Sequence, residues 1–209
     1  MGRYNMNKNK RISAIQNAFY SKQDMFKVRG STTRERIKFC ETITRPHLIF
    51  GAGTYRNTAV FHRKINALQQ KLSNFVQHFI RFRGEADGSY FYRRNKSLKE
   101  LRIREYIARW SDVLNARYYE FAGHLGRLKL YDPARLTVSV MQWKDIESLE
   151  RLQYTTGTQG HAQRLRVWRW EQPIFNFFKQ HSLRWQNVCL DREWWESWKL
   201  RFKECFRIR

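Results

Sequence analysis

The 209-residue chain is poor in acid. It holds 18 Asp and Glu against 41 Lys and Arg, a formal net charge of +23 at neutral pH. Between Glu41 and Glu85 there is no carboxylate at all, while seven basic residues appear. The excess runs from Arg3 to Arg209 rather than lying in a tail. A folded chain repels itself at that charge density unless a polyanion neutralises it, so the expected partner is nucleic acid or an anionic surface.

The other scarcities exclude whole classes of protein. Cys40, Cys189 and Cys205 are odd in number and far apart, which excludes a disulfide framework and a Cys-x-x-Cys metal clamp. Only three prolines, with 42% hydrophobic and 16% aromatic residues, exclude a disordered basic arm. No apolar run approaches the roughly eighteen residues that cross a bilayer, and Met1 to Lys10 is polar with no apolar segment after it. The expectation is a soluble intracellular protein of nucleus or cytoplasm, with no signal peptide and no membrane partner. The six aspartates Asp24, Asp87, Asp112, Asp132, Asp145 and Asp191 are never adjacent.

What is present is helical pattern. Ile12, Ile15, Phe19 and Phe26 suggest a helix beginning near Asn7. Thr32 and Glu35 have capping-box spacing, so a second helix starts there and carries Ile37, Cys40 and Ile43 until Pro46 ends or kinks it. Gly51-Ala52-Gly53 marks a break. Ile65, Leu68, Leu72, Phe75 and Phe79 then form one apolar stripe, with Lys64, Lys71 and His78 alongside it every seventh residue. The turn-rich segment Arg83–Gly88 is the expected boundary between two lobes, 1–85 and 86–209. In the second lobe, Ile103, Ile107, Trp110, Leu114 and Phe121 predict one long helix. A helix with Val138, Met141 and Trp143 and a polar loop over Thr155–Gly160 follow Asp132-Pro133. The fold class expected is all-α, closing in a stretch dense in Trp, Phe and Arg.

Several fragments, in order, resemble a known family. Arg29-Gly30-Ser31-Thr32, Arg36-Ile37-Lys38-Phe39 and Arg45-Pro46-His47-Leu48-Ile49-Phe50-Gly51 are similar to the segment after the polymerase core of non-LTR (LINE-type) retrotransposon reverse transcriptases. Tyr119-Glu120-Phe121-Ala122-Gly123-His124-Leu125-Gly126-Arg127 resembles the Trp-x-Gly-His-x-x-Arg signature downstream of that thumb. Arg169-Trp170-Glu171 with Ile174, and Trp185-Gln186, Asp191-Arg192 and Trp195, resemble elements nearer the end of those polypeptides. The resemblance implies a helical thumb-like bundle followed by an aromatic-rich helical extension that holds template and primer. It also implies, as a further partner, a separate polymerase chain bearing the palm. Fingers and palm have no counterpart, and without closely placed aspartates the chain cannot hold the two metal ions of polymerisation. The zinc knuckle of some relatives is absent too, since three scattered cysteines cannot supply it. The expectation is a non-enzyme with no cofactor.

The candidate nucleic-acid contacts are Arg34, Arg36 and Lys38 on the second helix and Lys64 and Lys71 on the third. Arg127, Arg164, Arg166 and Arg169 complete the set, the last three alternating with Trp168 and Trp170 so that guanidinium and indole groups meet phosphate and base. His124, on the face of Trp110 and Phe121, reads as a packed histidine and Trp170 as buried. The pairs Asp145/Glu147, Glu147/Glu150 and Glu193/Glu196 read as surface ion pairs with Lys144, Arg151, Arg192 and Lys199. Asp191-Arg192 reads as a salt bridge fixing the last helix. A structural RNA-binding subunit of a ribonucleoprotein particle is the alternative function. A helix-turn-helix regulator is a weaker third, with no dimerisation or base-reading signal.

Overall fold

The computed structural model describes residues 2–28, 30–52, 58–129, 132–133 and 172–205. Within them every regular element is a helix, and the fold is all-α. Helices α1 (Gly2–Tyr20), α2 (Thr33–Ile49), α3 (Ala59–Gln77), α4 (Asp87–Arg104) and α5 (Trp110–Arg127) come first, with a short 3-10 turn over Gln23–Lys27. Then come α6 (Gln172–Gln180), α7 (Trp185–Val188) and α8 (Arg192–Cys205).

The chain forms two compact units whose boundary falls inside α5, between Arg117 and Tyr118. This corrects the division expected at residue 85: α4 belongs to the first unit with α3. The reason is a polar seam that apolar periodicity does not register. Gln77 of α3 donates to Ser97 at 3.1 Å, while Arg102 of α4 donates to Gln70 at 2.9 Å and to Ser73 at 3.0 Å. Only Leu98 and Leu101 of α4 are buried beneath it. The turn before α4 is itself stapled. Arg93 donates to both carboxylate oxygens of Glu85, at 2.9 and 2.7 Å, and its guanidinium lies 3.8 Å from the Phe82 ring centroid.

In the first unit, Phe19 stacks on Phe26 at 4.9 Å, and Ile15, Ile37, Leu48, Ile65, Leu72 and Val76 are buried in the same core. Thr32 and Glu35 form the expected capping box, worth about 1 kcal/mol. Pro46 lies inside α2, which continues to Ile49, and the Phe50 N–H donates back to the Pro46 carbonyl at 3.0 Å.

The single long helix expected through Ile103 and Trp110 is two helices. Tyr106 takes a left-handed φ of 54°, Ile107 N–H donates to Arg102 and Tyr106 N–H to Ile103. That is the bonding of a Schellman stop, built without the glycine that usually announces one. Ile103 is left exposed beside it, whereas Trp110 and Leu114 of α5 are buried.

The second unit packs around aromatic rings. Tyr119 of α5 stacks on Trp195 of α8 at 4.2 Å, Phe178 of α6 stacks on the same indole at 5.4 Å, and Phe202 lies 4.9 Å from Tyr119. Gly123 lets the Trp195 indole lie on the α5 backbone, and Gly126 does the same for Cys189 and Trp185. Asp191 caps the helix and has no salt bridge among the described residues: Oδ1 accepts from Glu193 N–H at 2.9 Å and Trp194 N–H at 3.0 Å.

Candidate nucleic-acid interface

Helix α3 buries Ile65, Leu68 and Leu72 of the expected stripe together with Phe61 and Val76, whereas Phe75 is left 42% exposed and Phe79 lies past the helix end at Gln77. Lys64, Lys71 and His78 consequently stand exposed along the opposite edge. Seven residues of α-helix rise about 10 Å, so the row is straight and evenly spaced. Neither lysine has a carboxylate within ion-pair distance among the described residues. His78 closes the helix in a left-handed C-cap at φ 48°.

Arg34 and Lys38, one turn apart on α2, converge on a single carboxylate. Glu105 accepts from Arg34 at 2.7 Å and from Lys38 at 3.0 Å, with Arg104 at 3.6 Å. Its side chain is only 7% exposed, while those of the two cations keep 59% and 50%. The Lys38 ammonium and then the Arg34 guanidinium hold the Glu105 carboxyl below the usual carboxylate range. Glu105 also sits at the negative end of the α4 dipole, where an anion is disfavoured without such partners. Three cations sharing one anion leave this corner positive.

Arg36 is used differently from the expectation. Its guanidinium donates to the Val76 carbonyl at 3.0 Å, the Ser31 carbonyl at 3.0 Å and the Thr33 hydroxyl at 3.3 Å. It ties the start of α2 to the end of α3 and is committed inside the fold. Arg127, in the second unit, is exposed and gives one bond to the Cys189 carbonyl at 3.1 Å.

His124 is exposed and not packed. It follows Gly123, whose Cα faces Trp195, so the ring is rotated about 100° off the buried face. Glu196 pairs with Lys199 as expected, and Lys199 also reaches Glu120 at 2.8 Å. Arg164, Arg166 and Arg169, with Trp168, Trp170 and the Asp145, Glu147 and Glu150 pairs, lie outside the described residues.

Sequence reasoning passed over a cleft of about 530 Å³ in the first unit, where Lys71 meets Tyr20, Phe75 and Arg94. The signal for Arg94 was available in Tyr90-Phe91-Tyr92-Arg93-Arg94, the same basic and aromatic mixture that singled out 164–170. Among the described residues no group of three or more His, Cys, Asp or Glu side chains is arranged to hold a metal ion, and no helix is long and apolar enough to cross a membrane. Cys40, Cys189 and Cys205 are free thiols. No family model matches the chain, nor does any curated protein or solved structure.

Proposed function

We propose that this protein binds nucleic-acid duplexes through their phosphates, tolerant of sequence, as the thumb and C-terminal extension of a non-LTR reverse transcriptase would, and that it makes no bonds itself. The observation that carries this reading is the evenly spaced, exposed row of Lys64, Lys71 and His78, with no ion-pair partner among the described residues, on a chain of net charge +23. A spacing of about 10 Å matches roughly three nucleotide steps of a duplex lying along the helix. Arg34 and Lys38 extend the positive surface on the same unit. The all-α architecture with an aromatic-rich second unit agrees with the family resemblance of the sequence.

Such a surface gives strong, salt-sensitive and sequence-indifferent binding. With about six phosphates neutralised, log K falls against log salt with a slope near −5, because each contact releases condensed counterions. Fluorescence anisotropy on two duplexes of unrelated sequence, across a salt series, tests it. Binding that survives molar salt, or that favours one duplex by about a thousandfold, overturns the duplex-cradle reading. Primer extension with Mg²⁺ or Mn²⁺ is expected to give no product, since the sequence has no adjacent aspartates to hold the two ions. Templated extension by a preparation shown free of other polymerases would refute that part.

A further inference from the structure

We propose that the cleft walled by Tyr20, Phe75, Lys71, Asn74 and Arg94 takes an unpaired nucleotide of a bound strand, an inference that rests on the nucleic-acid reading above and gives it a second, distinct site. The cleft measures about 530 Å³, within the range of small-molecule pockets. Its walls combine the three chemistries a nucleotide presents.

The first is a stacking surface. Phe75 and Tyr20 are 42% and 41% exposed, unusual for rings that flank a core residue. Each stands edge-on against the fully buried Phe19, at 5.4 Å and 80° and at 5.2 Å and 85°. Phe19 therefore fixes both rings while leaving part of each open to the cleft. A base held in a duplex cannot reach such rings, whereas a splayed one stacks on them.

The second is positive charge without a competing anion. No Asp or Glu lines the cleft. Lys71 is exposed there, and Arg94 joins it in the lining, its guanidinium 5.0 Å from the Phe91 ring centroid and 5.4 Å from that of Tyr90. Two cations beside open rings, with no carboxylate between them, suit a phosphate next to a stacked base.

The third is a held amide. Gln70 is saturated, its Nε2 donating to Asn74 Oδ1 at 3.3 Å and Asn95 Oδ1 at 3.2 Å while its Oε1 accepts from Arg102 at 2.9 Å. The Asn74 carbonyl is thereby turned toward Gln70, and its amide N–H groups remain for a base carbonyl. Lys71 joins the cleft to the backbone row of α3. A strand tracked by Lys64 and Lys71 thus passes the pocket mouth, and the ligand is strand-borne.

The test compares a short blunt duplex with the same duplex carrying an unpaired tail of a few pyrimidines, in deoxyribose and ribose versions, by anisotropy on the full chain. The tail is expected to improve affinity about tenfold, the size of one base stacked on an aromatic ring. An advantage with either tail supports the pocket, the larger one naming the strand it serves. Phe75→Leu, which keeps apolar contact with Phe19, is expected to erase the advantage and leave blunt-duplex affinity unchanged. Asn74→Ala, which touches no apolar contact, is expected to reduce it and guards against misfolding of the first variant. A 5-iodouracil in the tail is expected to cross-link to the peptides holding Tyr20 or Phe75. Equal binding of tailed and blunt duplexes, an advantage that survives both variants, or cross-links confined to other peptides would overturn the pocket and leave the duplex reading standing. Failure of the unaltered protein to bind either probe would overturn both.

Discussion

Tyr119 and Trp195 hold each other twice: their rings stack at 4.2 Å and 17°, and the Tyr119 hydroxyl donates to the Trp195 carbonyl at 2.7 Å. The indole is completely buried and lies against the backbone at Gly123. A Cβ on Gly123 would fall 2.6 Å from Trp195 Cε2 and 2.8 Å from Cδ1, atoms of a ring that cannot swing away. Gly123→Ala is therefore expected to cost about 1–3 kcal/mol by overpacking. Arg127→Ala removes one bond from an exposed side chain and is expected to cost under about 1 kcal/mol. Thermal melts giving the opposite order would mean that α5 and α8 do not pack this way.

Lys64 and Lys71 are exposed and Arg36 is not available, which makes the basic contacts separable. Changing both lysines to Gln is expected to flatten the salt slope of duplex binding by about two units with the melting temperature unchanged. Arg36→Gln is expected to do the reverse, lowering the melting temperature while leaving the slope nearly intact. A slope untouched by the lysine pair would remove α3 from the interface.

Glu105 connects stability, pH and binding. Its folded pKa lies below the ordinary 4.5, so the stability it contributes is present above that pH and is lost as the pH falls through the folded value. Glu105→Gln is expected to lower stability at neutral pH and to flatten the acid limb of the stability curve. It also releases Arg34 and Lys38 for phosphate, so the salt slope is expected to steepen by up to about one unit. Denaturant titrations at neutral pH and near pH 3 with the matching duplex titration check both. A variant with an unchanged acid limb would sink the ion-pair account.

The three thiols differ by burial. Cys40 is buried on α2 and its pKa is pushed up to about 12, chiefly by burial and then by the neighbouring Glu41 carboxylate. Cys189 is buried against Gly126, and only Cys205 is exposed. A thiol reagent at mildly alkaline pH is expected to modify Cys205 promptly in the native protein and all three thiols in denaturant. Rapid native labelling of Cys40 would contradict the packing of α1, α2 and α3.

The sequence by itself determined the helical class, the α2 capping box, the inward Ile65, Leu68 and Leu72 of α3 and the basic row beside them. Each follows from local spacing, because 3.6 residues per turn sorts side chains onto faces whatever lies opposite. Only the tertiary structure decided where α4 belongs, since Gln70, Ser73, Gln77, Ser97 and Arg102 are polar and carry no periodic signal. The same holds for the stop at Tyr106, whose left-handed turn has no glycine to reveal it. Arg34, Arg36 and Lys38 look alike in sequence, and partners 40 to 71 residues away separate them: Val76 takes up Arg36, whereas Glu105 neutralises Arg34 and Lys38 only in part. Local spacing fixes which way a side chain points. Whether its charge is then spent depends on what the fold brings opposite it.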